Sequence, residues 1–225
     1  VKYSFGLRAI SRKNLMFQRL RRILFLLCMV ATPALAQANI MPPDKLIYQI
    51  TQDTYVYVNQ DTSLQKGETT KLIDWAEKSI LTIFDFNRMT KLAVGKDWRK
   101  ASPEQKKQLE QEFRRLLVRT YANAFVAVNK SQSIEYKPFK MNGDENEVVV
   151  KTMIVKPGAK PLDVNFSLEK GAAGWKIYDI VVAGVSLITN YRESFSQEIH
   201  ANGVDGLIKM LADKNRQLEQ KAKAS

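Results

Sequence analysis

From Pro42-Pro43-Asp44 onward the chain alternates apolar and polar positions at helical spacing. Leu46, Ile47, Ile50, Tyr57 and Val58 predict an amphipathic helix to about Asn59. A second runs from about Glu68 to Phe84 through Leu72, Ile73, Trp75, Ala76, Ile80 and Ile83, and a short third holds Phe86, Met89, Leu92 and Ala93 before Gly95 stops it. The clearest helix starts at Ser102-Pro103-Glu104-Gln105, an S-x-x-Q capping box with proline at the first helical position. Its apolar stripe is Leu109, Phe113, Leu116, Leu117, Thr120, Tyr121, Ala124, Phe125 and Val128, on a helix of roughly 26 residues, or roughly 39 Å.

After Lys130 the period changes from helical to two. Segments 132–140, 146–156, 161–169 and 174–183 are separated by Asn142-Gly143-Asp144, Lys156-Pro157-Gly158-Ala159-Lys160 and Gly171-Ala172-Ala173-Gly174. Each separator has turn chemistry, so the four strands should form an antiparallel meander. Leu162, Val164, Phe166 and Leu168 alternate with Asp163, Asn165, Ser167 and Glu169, giving one apolar face and one wet face. Placing Ile154 opposite Leu162 brings Thr152, Val150 and Val148 to that apolar face; a slip by one residue would bring Lys151 there instead. Asp179 shares the parity of Trp175, Ile177 and Val181, which predicts a half-buried carboxylate in need of a partner, with Arg192 the nearest cation. Ser186 is read as an N-cap for a helix through Leu187, Ile188, Tyr191, Phe195 and Ile199; Asn202-Gly203 ends it, and a last helix runs to about Gln220. The expected architecture is α+β, a four-stranded antiparallel meander with helices packed on its apolar face.

Charge changes the picture only after the start of the chain is considered. The 225 residues carry 35 Lys+Arg against 23 Asp+Glu, a net +12 that points toward nucleic acid or membrane. Seven of those basic residues lie between Lys2 and Arg22 with no acid among them. The apolar run Ile23–Ala31 and the site Ala34-Leu35-Ala36 follow, which is the pattern of a secretory signal peptide cleaved after Ala36. Met16 would begin a leader of normal size. The expected mature domain, 37–225, keeps 28 basic residues against 23 acids, an ordinary +5, and loses Cys28. A cysteine-free exported domain fits a bacterial periplasm, and no RNP, helix-turn-helix or Cys/His finger pattern supports nucleic-acid binding.

Catalytic chemistry is sparse. His200 is the lone imidazole, at a helix end. Ser186 lacks the second glycine of a nucleophile elbow, Lys66-Gly67-Glu68-Thr69-Thr70 is not a P-loop, and Asp85, Asp179 and the Asp144/Glu145/Glu147 hairpin form no recognisable acid–base pair. Lys106, Lys107, Arg114, Arg115 and Arg119 make a basic face on the long helix, either simply solvated or suited to anionic headgroups or acidic partner surfaces. No cofactor and no metal site is expected, and the protein is expected not to be an enzyme.

Several ordered blocks carry a resemblance. Gly174-Trp175-Lys176-Ile177-Tyr178-Asp179-Ile180, Gly184-Val185-Ser186-Leu187 and Asn190-Tyr191-Arg192 with Phe195 resemble the C-terminal signature of the MlaC family. Phe84-Asp85-Phe86 with Arg88-Met89, Gly95-Lys96-Asp97-Trp98-Arg99, Gln105, and Phe113 through Thr120-Tyr121 match its central block in order, the whole spanning about residues 43–215. That family, also called the toluene-tolerance family, comprises periplasmic phospholipid carriers of the Mla lipid-asymmetry pathway. The resemblance implies a monomeric shuttle that holds the acyl tails of a glycerophospholipid in a pocket between helices and sheet. It also implies two partners, an outer-membrane lipoprotein–porin complex and an inner-membrane ABC transporter with an MCE-domain ring. The residues expected to line such a pocket are Val150, Thr152, Val164 and Phe166 on the sheet, Leu117, Tyr121 and Phe125 on the long helix, and Phe84, Met89, Leu187 and Tyr191. The alternative is a non-catalytic periplasmic adaptor in which the same residues fill a solid core.

Overall fold

The computed structural model describes residues 40–61, 64, 69–126 and 132–224, without the side chains of 69, 122–126 and 223–224. The leader expected over 1–36 and the side chain of Phe125 lie outside the described residues. Helix α1 (Pro43–Gln60) starts on proline with Asp44 in its first turn, where a preset φ and a negative charge both favour initiation. Helix α2 (Thr69–Ser79) stops before the expected Phe84. The β-branched run Ile80, Thr82, Ile83 is a poor helix former, and the chain tightens there into a 3-10 turn over Leu81–Ile83 and then extends at Phe84.

Helix α3 (Phe86–Val94) is capped by Asp85, whose Oδ1 accepts the Arg88 N–H at 2.8 Å, and it ends at Gly95 with φ +67°. The capping box of α4 (Pro103–Val126) forms reciprocally: Gln105 N–H donates to Ser102 Oγ at 3.2 Å, and Ser102 N–H donates to Gln105 Oε1 at 2.9 Å. The last helical run, α5 (Arg192–Ala224), is broken at Gly203 (φ 74°, ψ −177°), where Asn202-Gly203 was expected to end a helix. Before it, Ser186 Oγ accepts the Thr189 N–H at 3.0 Å, but the N-cap of the 3-10 turn over Thr189–Tyr191 is Ile188, and the α-helix starts only at Arg192, so Ser186 is not the helix N-cap that was expected.

The sheet is a sequential antiparallel meander of five strands, β1 (Ser133–Tyr136), β2 (Glu147–Val155), β3 (Leu162–Gly171), β4 (Gly174–Val182) and β5 (Val185–Ser186). The fifth, two residues long, was not expected. β1 stops at Tyr136 because the Lys137 N–H makes the last ladder bond, to Lys151 O at 3.0 Å, and Pro138 has no N–H to continue. The β2–β3 register is the expected one, with Ile154 opposite Leu162, Thr152 opposite Val164, Val150 opposite Phe166 and Val148 opposite Leu168.

Between β3 and β4 the register shifts. Leu168 faces Ile177 but Ser167 faces Asp179, so Tyr178 is the extra residue of a β-bulge. Parity inverts at that point, which corrects the expectation for Asp179. The residue leaves the face of Trp175 and Ile177, and Ile180 takes its place opposite Phe166. Asp179 does find partners, but they are the Ser186 hydroxyl, donating to Oδ2 at 2.6 Å, and the Ile188 N–H, donating to Oδ1 at 3.3 Å. Arg192 instead donates from Nε and Nη2 to Leu92 O at 3.1 and 2.9 Å, closing the C-terminus of α3.

The apolar interior is divided. One buried cluster joins α3, α4 and α5 around Phe113, Leu109, Phe195, Leu207 and Leu211. A second joins the sheet face to α1 through Ile47, Val148, Val150, Leu168, Trp175 and Ile177. A third, small one holds Val58, Leu64 and Leu72, with Tyr57 stacked on Trp75 at 4.4 Å between centroids. Phe84 packs against both larger clusters.

Asp179→Ala removes the acceptor that orders the β5 turn. It should cost about 1.5–3 kcal/mol, the range for hydrogen bonds to a charged group, read as a lowered Tm. An Asp179→Ala Tm equal to that of the unsubstituted protein would show that the turn orders itself without the carboxylate.

Candidate functional site

A cavity lies between the three apolar clusters and draws its wall from all of them: Phe86, Met89 and Leu117 from the helical cluster, Phe166 and Ile50 from the sheet cluster, and Leu72 and Trp75 from the small one. The space between its lining atoms is about 1390 Å³, a figure that includes solvent at the mouth. Many lining side chains that a solid core would cover, such as Ile73, Ile80, Ile154, Ile180 and Leu187, are only half-buried. Apolar area facing a void has lost its water without gaining close-packed neighbours, so it favours any hydrocarbon that enters.

Eight of the eleven residues selected from the sequence stand on this wall: Phe84, Met89, Leu117, Tyr121, Thr152, Val164, Phe166 and Leu187. Val150 and Tyr191 stand elsewhere. Val150 is buried in the solid part of the sheet cluster, toward the end of the sheet that α1 covers through Ile47. Tyr191 packs edge-on to Phe113 at 5.1 Å and against Phe195 at 5.5 Å, inside the helical cluster. Phe125 lies outside the described side chains.

Sequence reasoning missed the wall contributed by α1 and α2. Ile50, Thr51, Thr54 and Tyr55 come from α1, and Leu72, Ile73, Trp75 and Ala76 come from α2. The signal was present, since Ile50, Leu72, Ile73, Trp75 and Ala76 belong to the expected apolar stripes; nothing in a stripe says whether it meets side chains or a void.

Among the described residues, no Asp, Glu, Lys, Arg or His lines the cavity. The threonine hydroxyls are turned to backbone oxygens: Thr51 Oγ1 donates to Ile47 O at 2.8 Å, Thr54 Oγ1 to Ile50 O at 2.6 Å and Thr152 Oγ1 to Val164 O at 2.6 Å. Next to the wall, burial first and then Tyr121 push the Tyr191 phenol up to about 12, so it stays neutral well above physiological pH. The described part of the wall is therefore uncharged and has little hydrogen-bonding capacity.

The charged groups are placed around the cavity as braces. Arg88, from α3, pairs with Glu147 at 2.9 Å and with Glu169, and its guanidinium lies 3.6 Å from the Tyr178 ring centroid. The basic face of α4 is largely engaged as well. Arg114 pairs with Glu77 of α2, Arg115 with Glu112 at 2.9 Å, and Arg119 reaches Asn215 O at 2.9 Å and Glu219 at 3.3 Å on α5. Asp97 is buried in a 3-10 turn over Gly95–Lys100, with Lys100 Nζ 2.6 Å from its Oδ1. The hydrogen bond from Lys100 holds its carboxyl below the usual carboxylate range; burial opposes this, and the charges of Lys100, His200 and Lys96 reinforce it. Asp85 caps α3, and His200 lies close enough to Asp97 to contribute to this field. Among the described residues no group of three or more His, Cys, Asp or Glu is placed to hold a metal ion, and no helix is long and apolar enough to cross a membrane.

Such a fold and site define a class: an α+β binding protein whose ligand space is an uncharged cavity between a meander sheet and its covering helices. The family model described as MlaC protein matches residues 48–213, and the chain belongs to the MlaC family. The toluene tolerance protein Ttg2D of Pseudomonas putida is 26% identical over 191 residues, covering 84% of this chain and 87% of its own. The intermembrane phospholipid transport system binding protein MlaC of Haemophilus influenzae is 24% identical over 183 residues, covering 80% and 84%. Among solved structures, the phospholipid-binding protein from Ralstonia solanacearum, determined in complex with a phospholipid, superposes with a TM-score of 0.73. It is 33% identical, and the match covers 80% of this chain and 99% of that one.

Because the folded Asp97 carboxyl titrates below its unfolded value of 3.8, its stabilisation is present above that pH and is lost as pH falls through the folded pKa. Asp97→Asn should therefore lower Tm at neutral pH, and the gap to the unsubstituted protein should close in melts taken below pH 3.8. A gap that persists unchanged in acid would mean that the side chain acts by packing alone.

Proposed function

We propose that this protein is a phospholipid carrier that holds the acyl tails of a glycerophospholipid in the cavity between helices and sheet. The observation that supports this most is the uncharged void itself, walled by all three apolar clusters. Burying hydrocarbon is worth about 0.8 kcal/mol per CH₂, so two tails of roughly 15 carbons represent on the order of 20 kcal/mol. Tails held that strongly by their aversion to water do not cross it unaided on a useful timescale. A carrier needs only to offer them comparable apolar surface, and among the described residues nothing in the cavity wall offers an acid, a base or a nucleophilic pair. The MlaC family is one of non-catalytic carriers, and the solved relative from Ralstonia solanacearum carries a phospholipid.

The finer reading follows the resemblance. The carrier works in the periplasm as a monomer after removal of residues 1–36, exchanging lipid with an outer-membrane lipoprotein–porin complex and an inner-membrane MCE-domain ABC transporter, and so maintains outer-membrane lipid asymmetry. Thr152, Val164 and Phe166 from the sheet and Phe84, Met89, Leu117, Tyr121 and Leu187 from the helices and turns are the proposed tail-contacting set. The adaptor alternative requires a filled core, which the void between the clusters disfavours.

Native mass spectrometry of the purified chain should show bound phospholipid. Ile154→Glu places a carboxylate on the wall opposite Leu162, where a tail must desolvate it. That variant should stay folded by circular dichroism and lose the lipid. Protein that carries no phospholipid and extracts none from vesicles would overturn the carrier reading.

A further inference from the structure

We infer that a basic corner of the helical layer, away from the cavity, is a docking surface for an anionic phospholipid bilayer. The corner is built from the last turn of α3, the 3-10 turn over Gly95–Lys100 and the first turns of α4. Between Lys91 and Lys107 the chain carries six basic residues against two acids, a surplus of four. Both acids are engaged. Asp97 is buried beneath the turn with Lys100 on it, and Glu104 accepts the Ser102 hydroxyl at 2.9 Å. Among the described residues, the exposed side chains of Lys91, Arg99 and Lys107 make no ion pair, and exposed Lys96 acts only through its field on Asp97. From α5 the neighbouring charges are Arg192, seated on Leu92 O, and Asp205, which accepts from Gln105 Nε2 at 2.7 Å.

Local geometry gathers these cations. Gly95 N–H donates to Lys91 O, so the turn begins directly on the end of α3. Side chains three apart are eclipsed in a 3-10 turn, which aligns Lys96 with Arg99. Lys106 Nζ lies 5.7 Å from the ring centroid of the buried Trp98, which brings the start of α4 back over the turn. The cavity uses other parts of the same helices: Phe86 and Met89 at the start of α3, and Leu117, Val118 and Tyr121 on α4. Leu117 is ten residues beyond Lys107, roughly 15 Å along the helix.

The occupant follows from what the corner lacks. A protein partner is held by buried aromatic or aliphatic anchors inside a polar rim. Among the described residues, no exposed large apolar side chain lies between 91 and 107, so the corner offers charge without an anchor. A headgroup layer carries spread-out negative charge and needs no socket. Five of the six cations are lysines, compact charges on long stems that can settle among phosphates. Attraction of this kind is confined to about a Debye length, so the contact is reversible.

The protein, purified after export and shown by intact mass to lack residues 1–36, is floated with vesicles of phosphatidylcholine alone or mixed with phosphatidylglycerol. Binding to the mixed vesicles only, at low ionic strength and released in about 1 M salt, is the expected result. Each cation near such a surface raises affinity about fivefold, so Arg99→Glu with Lys107→Glu should weaken binding at least about tenfold. Lys156→Glu with Lys160→Glu makes the same charge change on the exposed β2–β3 hairpin and should weaken it far less. Equal losses from the two pairs would show that net charge alone is read, and would overturn the corner as the docking surface. Absence of binding to the mixed vesicles would overturn the bilayer as its partner; capture by immobilised polyglutamate in that case would assign the corner to an acidic protein. By native mass spectrometry Arg99→Glu with Lys107→Glu should carry the same lipid as the unsubstituted protein, so a failed docking result leaves the carrier reading intact. A load lost in that folded variant would tie the corner to the cavity and overturn its separate role.

Discussion

Two apolar surfaces facing each other across a void in water tend to close, and the structure depends on what holds them apart. The holding element is the segment around Phe84, Asp85 and Arg88. Asp85 N–H donates to Ile177 O at 2.8 Å and Phe84 bridges to Ile177, so the segment is pinned to β4. Asp85 also starts α3, and Arg88 one turn later clamps the sheet through Glu147, Glu169 and Tyr178. Lys176 reaches back to Thr82 O across the same joint. Together these contacts fix the helical cluster and the sheet cluster along one seam, and the cavity is what remains beyond that seam.

Charge and cavity are kept separate. Arg114 and Arg119 brace α4 against α2 and α5, and Asn215 adds a buried link by donating to Glu112 O at 2.9 Å. An isolated charge on the wall would have to be desolvated whenever a hydrocarbon tail arrived. Placed outside, the same residues stiffen the frame without imposing that cost on the cargo.

The motif residues that carry the family resemblance turn out to be mostly pieces of this frame. Asp85 caps, Arg88 clamps, Gly95 ends α3 in a left-handed conformation, and Arg192 closes α3 from the far side. Trp175 and Ile177 seal the sheet cluster, and Asp179 with Ser186 shapes the turn that delivers Ile188 to the helical cluster and Leu187 to the cavity. Phe84, Phe86, Met89, Tyr121, Ile180 and Leu187 are among the members of those blocks that also face the cavity.

What the sequence determined by itself was whatever local chemistry decides. The reciprocal box at Ser102 and Gln105, the stop at Gly95, the break at Gly203 and the β2–β3 register all follow from turn residues and from a two-residue period with one wettable face. What only the tertiary structure decided depends on partners distant in the chain. The bulge at Tyr178 inverts the face of Asp179 because the β3–β4 register shifts there by one residue, and simple parity carries no trace of such a shift. Whether an apolar side chain fills a core or lines a hollow depends on how far away the opposite wall is held. Val150 and Phe166 are cross-strand neighbours on one face, yet only Phe166 looks into the cavity. Hydrophobic periodicity fixes the direction in which a side chain points; the braces set the distance to what it meets.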